Sequence, residues 1–335
     1  MRGTMDDQAP GPAAGLSPAA GSDPGGQRRA AAIGAVGAVR RVRPGTWAGL
    51  GFALPLVVYL ALFYAYPLYE NVSMSLHRFT RATYVTGQAP YVGGQVYDEV
   101  VGSPPFWPTV GHTATFVVVS LVFQYSIGLA LAVFFQRSFP ISGVLRGLFL
   151  VPWLLPIIVS GTTWQWMMDA DSGVLNKLLG LFGSDGVWWL NNDNSLWAVI
   201  IANIWLGIPF NLVILYSGLQ NISGELYEAA AIDGAGPWRQ FWSITFPLLR
   251  PVSAVTLLLG FVYTLKVVDI IWIMTTGTGK SQTLATWAYS MAFGKGASAV
   301  IKYSEASVVG SILLLVALAM GFVYLAVQRR QGALR

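Results

Sequence analysis

Charged residues in this chain are gathered into a few places and leave long uncharged intervals between them. The intervals cover residues 44–69, 100–136, 147–168, 194–224, 251–265 and 306–328. All but the fifth reach the roughly 20 residues that an apolar helix needs to cross a bilayer. The pattern predicts six spanning helices, over about 47–68, 109–135, 146–168, 195–219, 251–274 and 305–328. Lys266 and Asp269 interrupt the fifth. Residues three apart share a helical face, so the two are expected either to neutralise each other or to face a polar cavity.

Composition agrees with an all-α integral membrane protein. The 335 residues are 54% hydrophobic and 10% charged, against about 25% charged in a typical soluble domain. Arginine and lysine then orient the spans. With both termini cytoplasmic, the inner segments hold Arg2, Arg28, Arg29, Arg40, Arg41, Arg43, Arg137, Arg146, Arg239, Arg250, Arg329, Arg330 and Arg335. Outside fall only Arg78, Arg81, Lys177, Lys280, Lys295 and Lys302, a bias that favours this orientation. Residues 1–44, rich in Gly, Ala, Pro, Ser and Arg, are expected to be a disordered basic cytoplasmic tail. A six-helix domain follows over 45–330, and 331–335 close the chain on the cytoplasmic side. The first span is longer than an export signal and has no A-x-A site after it, so it should stay as an anchor.

Little in the chain suggests catalysis. There is no cysteine, and His77 and His112 are too few for a histidine metal cluster. Ser311, in the last span, has no intramembrane histidine to activate it. The stretch MTTGTGKSQT at 274–283 holds Gly279-Lys280-Ser281 and resembles the end of a phosphate-binding loop. The pattern G-x-x-x-x-G-K-[ST] requires glycine where Met274 stands, and it requires a strand before the loop. Here the stretch follows a spanning helix on the outer side, so Gly277 and Gly279 are expected to serve a turn.

Between the fourth and fifth spans lies LYEAAAIDGAGPWRQFWSITFPLLRP, residues 226–251. Its spacing predicts a short helix around Leu226–Ile232, with Glu225 and Glu228 in its first turn. A break at Gly234 to Gly236 follows, then a helix opened by Pro237 at its first position, and a return to the membrane near Pro247. Ala229 and Ala230 would let another backbone approach closely. Read from residues alone, the segment could also be an interfacial amphipathic helix that caps the bundle.

Glu228-Ala229-Ala230, then Asp233-Gly234-Ala235, then Ile244 and Pro247 resemble the EAA loop, E-A-A-x-x-D-G-A followed by I-x-L-P, of permease subunits in binding-protein-dependent ABC importers. Phe246 stands where leucine is usual. The resemblance extends over about residues 46–328 and is greatest to the maltose- and trehalose-type sugar permeases. WQWMMDADSGVLNKLLG at 164–180 is similar to that branch's W-x-x-x-F-x-x-x-x-G-x-x-N-x-L-L segment, and Asp269 and Thr275 match its V-F-D-x-x-x-x-x-T. Where the family continues x-G-G-P, this chain has Thr276-Gly277-Thr278-Gly279.

The resemblance implies a type I ABC importer permease architecture, six transmembrane helices with a cytoplasmic coupling helix inside the loop 225–250, in the bacterial cell membrane. It implies as partners a second homologous permease, two ATP-binding subunits that bind ATP and magnesium, and an extracytoplasmic solute-binding protein, with no cofactor on this chain. A sugar, di- or oligosaccharide in size, would be the cargo, and nucleic acid is not an expected partner. Asn203, Trp205, Asn211, Tyr216, Tyr263, Lys266 and Asp269 offer stacking faces and hydrogen-bonding groups for its path. An ion-coupled secondary transporter is the alternative; it would need an acidic relay within the membrane, for which Asp269 is the one clear candidate.

Overall fold

The computed structural model describes residues 46–332 except Ser138, Ala297 and Ala299. The tail assigned to 1–44 and the last three residues of 331–335 lie outside the described residues. The chain divides into two units, Met1–Ala61 and Leu62–Arg335. The first contributes helix α1, Thr46–Leu60, whose side chains from Gly51 onward are exposed, Phe52 by 90%. An apolar helix of that kind suits a lipid environment, where every backbone polar group must be paired within the helix.

The second unit is helical. It comprises α2 Tyr66–Leu76, α3 Arg81–Thr86, α4 Gln95–Val101, α5 Phe106–Gln136, α6 Ser142–Leu154, α7 Ile157–Met167 and α8 Val174–Leu181. The chain continues with α9 Ser195–Gln220, α10 Gly224–Ile232, α11 Pro237–Gln240, α12 Phe246–Leu265, α13 Asp269–Thr275, α14 Leu284–Phe293 and α15 Tyr303–Gly332. Among the described residues the one β feature is an isolated bridge between His77 and Tyr91. Five stretches are long and apolar enough to cross a membrane: Gly51–Leu76, Phe106–Phe134, Ser195–Gln220, Pro237–Leu265 and Tyr303–Arg329. The bent pair α6 and α7 makes a sixth.

The first span runs on to Leu76, past the expected residue 68, and two others differ from the hydropathy expectation for a backbone reason. Residues 146–168 are two helices bent by 95° rather than one. Leu155 precedes Pro156 and has φ −74° and ψ 141°, because the proline ring excludes the α conformation from the residue before it. The fifth span begins at Pro237, well before residue 251, and ends at Leu265. Pro247 does not stop it, because a π-helical turn at Phe241–Thr245 precedes the proline. A proline in a regular helix collides with the carbonyl four residues back, and the wider turn relieves that contact. The same device, a π-turn at Ala61–Ala65, precedes Pro67 in the first span.

The centre of the bundle is the pairing of α5 with α9, flanked by α12 and α13. Phe116, Val199, Ile200, Ile270 and Ile271 are buried together there. Toward the α10 end, Ala132, Phe135, Leu215, Leu219 and Leu249 form a second cluster. Helix α15 is tied to α2 by Asn71, whose Nδ2 donates to Ser311 Oγ at 3.0 Å and to the Ser307 carbonyl at 3.4 Å. Such polar contacts between spans contribute roughly 0.6 kcal/mol on average in a membrane.

Candidate functional site

Two helix interruptions face one cavity of 280 Å³. Trp153 and Ile157 flank the Pro156 bend, and Thr264 and Val267 flank the break at the end of α12. Non-helical backbone at membrane depth is tolerated where it is enclosed by protein or lines a cavity, and here both breaks do so. Helix α9 supplies Asn203, Gly207 and Phe210, and α5 supplies Gln124. Gln124 is 4% exposed and its Nε2 donates to the Asn203 carbonyl at 2.8 Å. Asn203 is 6% exposed, and its own Nδ2 meets no hydrogen-bond partner among the described residues. A buried amide donor of this kind costs about 1–3 kcal/mol while unsatisfied.

Aromatic rings make one wall. Trp153 and Phe210 meet edge to face at 6.5 Å, and Phe210 and Tyr263 do so at 5.9 Å. The Lys266 ammonium lies 5.0 Å from the Tyr263 ring centroid, within range of a cation–π attraction. The wall therefore offers flat apolar faces beside amide and hydroxyl groups, the combination that suits an uncharged, hydroxyl-rich ligand.

Of the seven path residues expected from the sequence, Asn203 and Tyr263 line this cavity and Lys266 adjoins it. Trp205 packs instead against Trp164 at 5.9 Å. Asn211 is buried between α5 and α9, where its Nδ2 donates to the Gly207 carbonyl at 2.9 Å. Tyr216 belongs to a separate cavity with Arg146. Lys266 and Asp269 do not share a helical face, because the helix ends at Leu265 and Asp269 opens α13. Of the two expectations for them, mutual neutralisation is not seen among the described residues, and Lys266 lies against Tyr263, which lines the cavity. Gln124, Trp153 and Phe210 escaped the sequence reading. Gln124 carried a signal, an isolated amide in mid-span, and Trp153 another, its place in the proline-bounded PWLLP.

The loop at 225–250 is built as a capped helix and a sharp turn. Ser223 caps α10, its side chain accepting from the Glu225 N–H at 3.3 Å. Because α10 starts at Gly224, Glu225 is in the first turn but Glu228 lies beyond it. At the other end Gly234 has φ +77°. The Ala235 N–H donates to the Ala230 carbonyl at 2.8 Å and the Gly234 N–H to the Ala231 carbonyl at 3.0 Å. This is a Schellman cap, and it requires a left-handed residue where the glycine stands. Tyr227 Oη and Thr245 Oγ1, 3.0 Å apart, fasten α10 to the π-turn of the fifth span. Glu228, Ala229 and Asp233 stay exposed, Ala230 and Ala235 are partly covered, and Ile232 is 87% exposed. Ile244 and Pro247 are half-buried, the first in the π-turn and the second in α12.

At the opposite end, α13 is followed by Thr276 at φ 56° and by Gly277 and Gly279 at φ near +60°, then by a single 3₁₀ turn at Gly279–Ser281. A helix, not a strand, precedes the Gly-Lys-Ser sequence, and the Lys280 N–H points at Asn192 Oδ1 at 3.2 Å. The loop of 164–191 is held by Asn176, whose Oδ1 accepts from the Val187 N–H and from Trp189 Nε1. Next to it Asp169 Oδ1 accepts from Ser172 and Asp171, which holds the carboxyl below its ordinary range.

The family described as binding-protein-dependent transport system inner membrane component matches residues 124–332, which include both the cavity and the capped loop. The chain belongs to this family. Among its curated relatives, the trehalose/maltose transport system permease protein MalF of Thermococcus litoralis is 34% identical over 82% of this chain and 92% of its own length. The sulfoquinovosyl glycerol transport system permease protein SmoG of Agrobacterium fabrum is 31% identical over 70% of this chain and 76% of its own. A chain of the bacterial alginate ABC transporter, solved with a periplasmic protein bound to alginate pentasaccharide, superposes with a TM-score of 0.69 over 85% of this chain and 94% of that one. At 20% identity that likeness is one of fold. As an inner membrane component of this family the chain is a multi-pass membrane protein, and its part in transport is to span the bilayer rather than to catalyse a reaction.

Proposed function

We propose that this chain is the permease subunit of an ABC importer that carries a di- or oligosaccharide by alternating access. Both termini lie in the cytoplasm, where a pair of ATP-binding subunits engages α10, and a second homologous permease completes the path. An extracytoplasmic solute-binding protein delivers the sugar to the end that carries Asn176 and Lys280. ATP and magnesium are held by the ATP-binding subunits, and this chain receives their work mechanically. The exposed face of α10, with Glu228, Ala229 and Ile232, suits a helix-in-groove contact. Its capped end and the bond from Tyr227 to Thr245 make it a short lever joined to the fifth span. That span ends at Leu265, beside the break that borders the cavity, so a displacement of α10 reaches Tyr263 and Thr264 along it.

The observation that carries the reading is the convergence of both helix breaks on one cavity with an aromatic wall, beside which the Asn203 amide is buried unsatisfied. The trehalose/maltose and sulfoquinovosyl glycerol names of the relatives support a sugar as cargo. No acidic residue lines the cavity among the described residues, which disfavours an ion-coupled relay. The test is uptake of labelled di- and oligosaccharides by the reconstituted complex. ATP-dependent uptake that is abolished by Glu228→Arg, with the subunits still co-purifying, is the expected result. Uptake that continues without ATP-binding subunits under an ion gradient would overturn the proposal.

A further inference from the structure

A second cavity, of 440 Å³, lies between the start of α6 and the end of α9, at the same end of the bundle as α10. Arg146 supplies its charge. The guanidinium donates from Nη1 to Tyr216 Oη, from Nε to the Ser142 carbonyl at 3.4 Å, and lies 4.9 Å from the Tyr216 ring centroid. The ion pairs among the described residues are Arg78–Glu99, Lys280–Asp193 and Lys302–Glu305, so Arg146 meets no carboxylate there. Guanidinium has five N–H donors in a rigid fork that matches a phosphate. An arginine at the end of an apolar span, with donors to spare and no counter-charge among the described residues, has the chemistry to take an anion.

Shape narrows the anion further. Deeper in the cleft the lining becomes apolar, with Leu150 and Val213. Gly147 opens the groove beside Arg146, since a β-carbon there would meet nothing within 4 Å. A polar mouth over an apolar slot is the profile of a phospholipid, and basic pockets between spans on the cytoplasmic side take anionic headgroups. We propose that this cavity holds one anionic phospholipid of the cytoplasmic leaflet, its phosphate on Arg146 and Tyr216 and an acyl chain along Leu150 and Val213. The proposal rests on the orientation given above and is independent of the sugar.

The test is native mass spectrometry of the full transporter after reconstitution into vesicles of equal phosphatidylglycerol and phosphatidylcholine. The unaltered chain should retain phosphatidylglycerol over phosphatidylcholine, and Arg146→Gln should reduce that preference about fivefold. Gly147→Leu, which fills open space and leaves Arg146 in place, should expel the lipid as well. Equal retention of the two lipids by the unaltered chain would overturn the proposal, as would an undiminished preference in either variant. So would displacement of phosphatidylglycerol by millimolar inorganic phosphate, which would mark a free-anion site. Finally, the chain has no cysteine, so Gly143→Cys can be crosslinked alone; efficient capture of the second permease there would mean that protein, not lipid, covers the cleft.

Discussion

Gly128 packs directly against Asn211 where α5 crosses α9: a β-carbon on Gly128 would lie 2.5 Å from the Asn211 β-carbon and 3.2 Å from its carbonyl carbon. Small residues permit such crossings in a bilayer, where dispersion and not water exclusion holds helices together. Gly128→Ala must push the helices apart and is expected to destabilise the chain by about 1–3 kcal/mol. Gly111 lies on the same helix with open space around it. Thermal unfolding in detergent should therefore fall for Gly128→Ala and barely move for Gly111→Ala. Equal shifts would refute the packing argument.

The same helix pair sets the cavity wall. A β-carbon on Gly207 would fall 2.2 Å from the Gln124 carboxamide carbon, so Gly207→Ala must dislodge the amide that donates to the Asn203 carbonyl. Losing that bond in a buried place costs about 1–3 kcal/mol. The double variant Gly207→Ala with Gln124→Ala makes room again and should recover part of the lost stability. Uptake should remain impaired in both, because Gln124 lines the cavity. Stability no better in the double variant than in the single one would count against the steric cause.

How far these features can be read beforehand depends on what sets them. The spans at Ser195–Gln220 and Tyr303–Arg329 follow from unbroken apolar runs, which hydropathy detects directly. The bend at Pro156 escapes it because hydropathy does not register backbone direction, and Pro156 sits within an apolar run. Pro247 misleads in the opposite sense: it looks like a boundary, and the π-turn that absorbs it has no compositional mark. The cap at Gly234 is legible, since the left-handed position after a helix is a local preference. The facing of Asn203 and Asn211 is not. Both are amides in α9, and only the register against α5 directs one into the cavity and the other into the crossing.

Gly234 offers a test of the lever. At φ +77° a side chain with a β-carbon costs about 1–2 kcal/mol, and branched residues are worst suited to that region. Gly234→Val is expected to unfasten the Ala235 to Ala230 bond, leaving assembly intact and lowering sugar uptake per ATP hydrolysed. Gly234→Asn should be the milder change. Matched measurements of hydrolysis and uptake check this, and equal coupling in the valine and asparagine variants would contradict it.

The Asp169 loop should respond to acid. Hydrogen bonds from the Ser172 backbone, the Ser172 hydroxyl and the Asp171 backbone lower the carboxyl pKa in the folded chain. A depressed folded pKa means that the contribution is complete above the unfolded value, about 3.9, and is lost as pH falls through the folded value. Amide exchange at residues 170–173, corrected for the intrinsic rate, should accelerate only below that range. In Asp169→Asn the acid dependence should disappear, and its persistence there would point to another titrating group.

The two readings of the Gly-Lys-Ser turn differ in what Lys280 does. Its ammonium lies 2.8 Å from Asp193, with the side chains 48% and 72% exposed, and an ion pair so open to water contributes no more than about 1 kcal/mol. Gly279 is far more constrained: φ is +60°, and a β-carbon would stand 2.0 Å from Asn192 Oδ1. Lys280→Ala should thus leave unfolding temperature and nucleotide affinity of the assembled transporter nearly unchanged, whereas Gly279→Val should loosen the contact with Asn192 and lower the unfolding temperature. In a phosphate-binding loop the order would invert, since the lysine there neutralises the β- and γ-phosphates. Nucleotide titration of the Lys280→Ala complex decides between them, and a marked loss of affinity would restore the phosphate-loop reading.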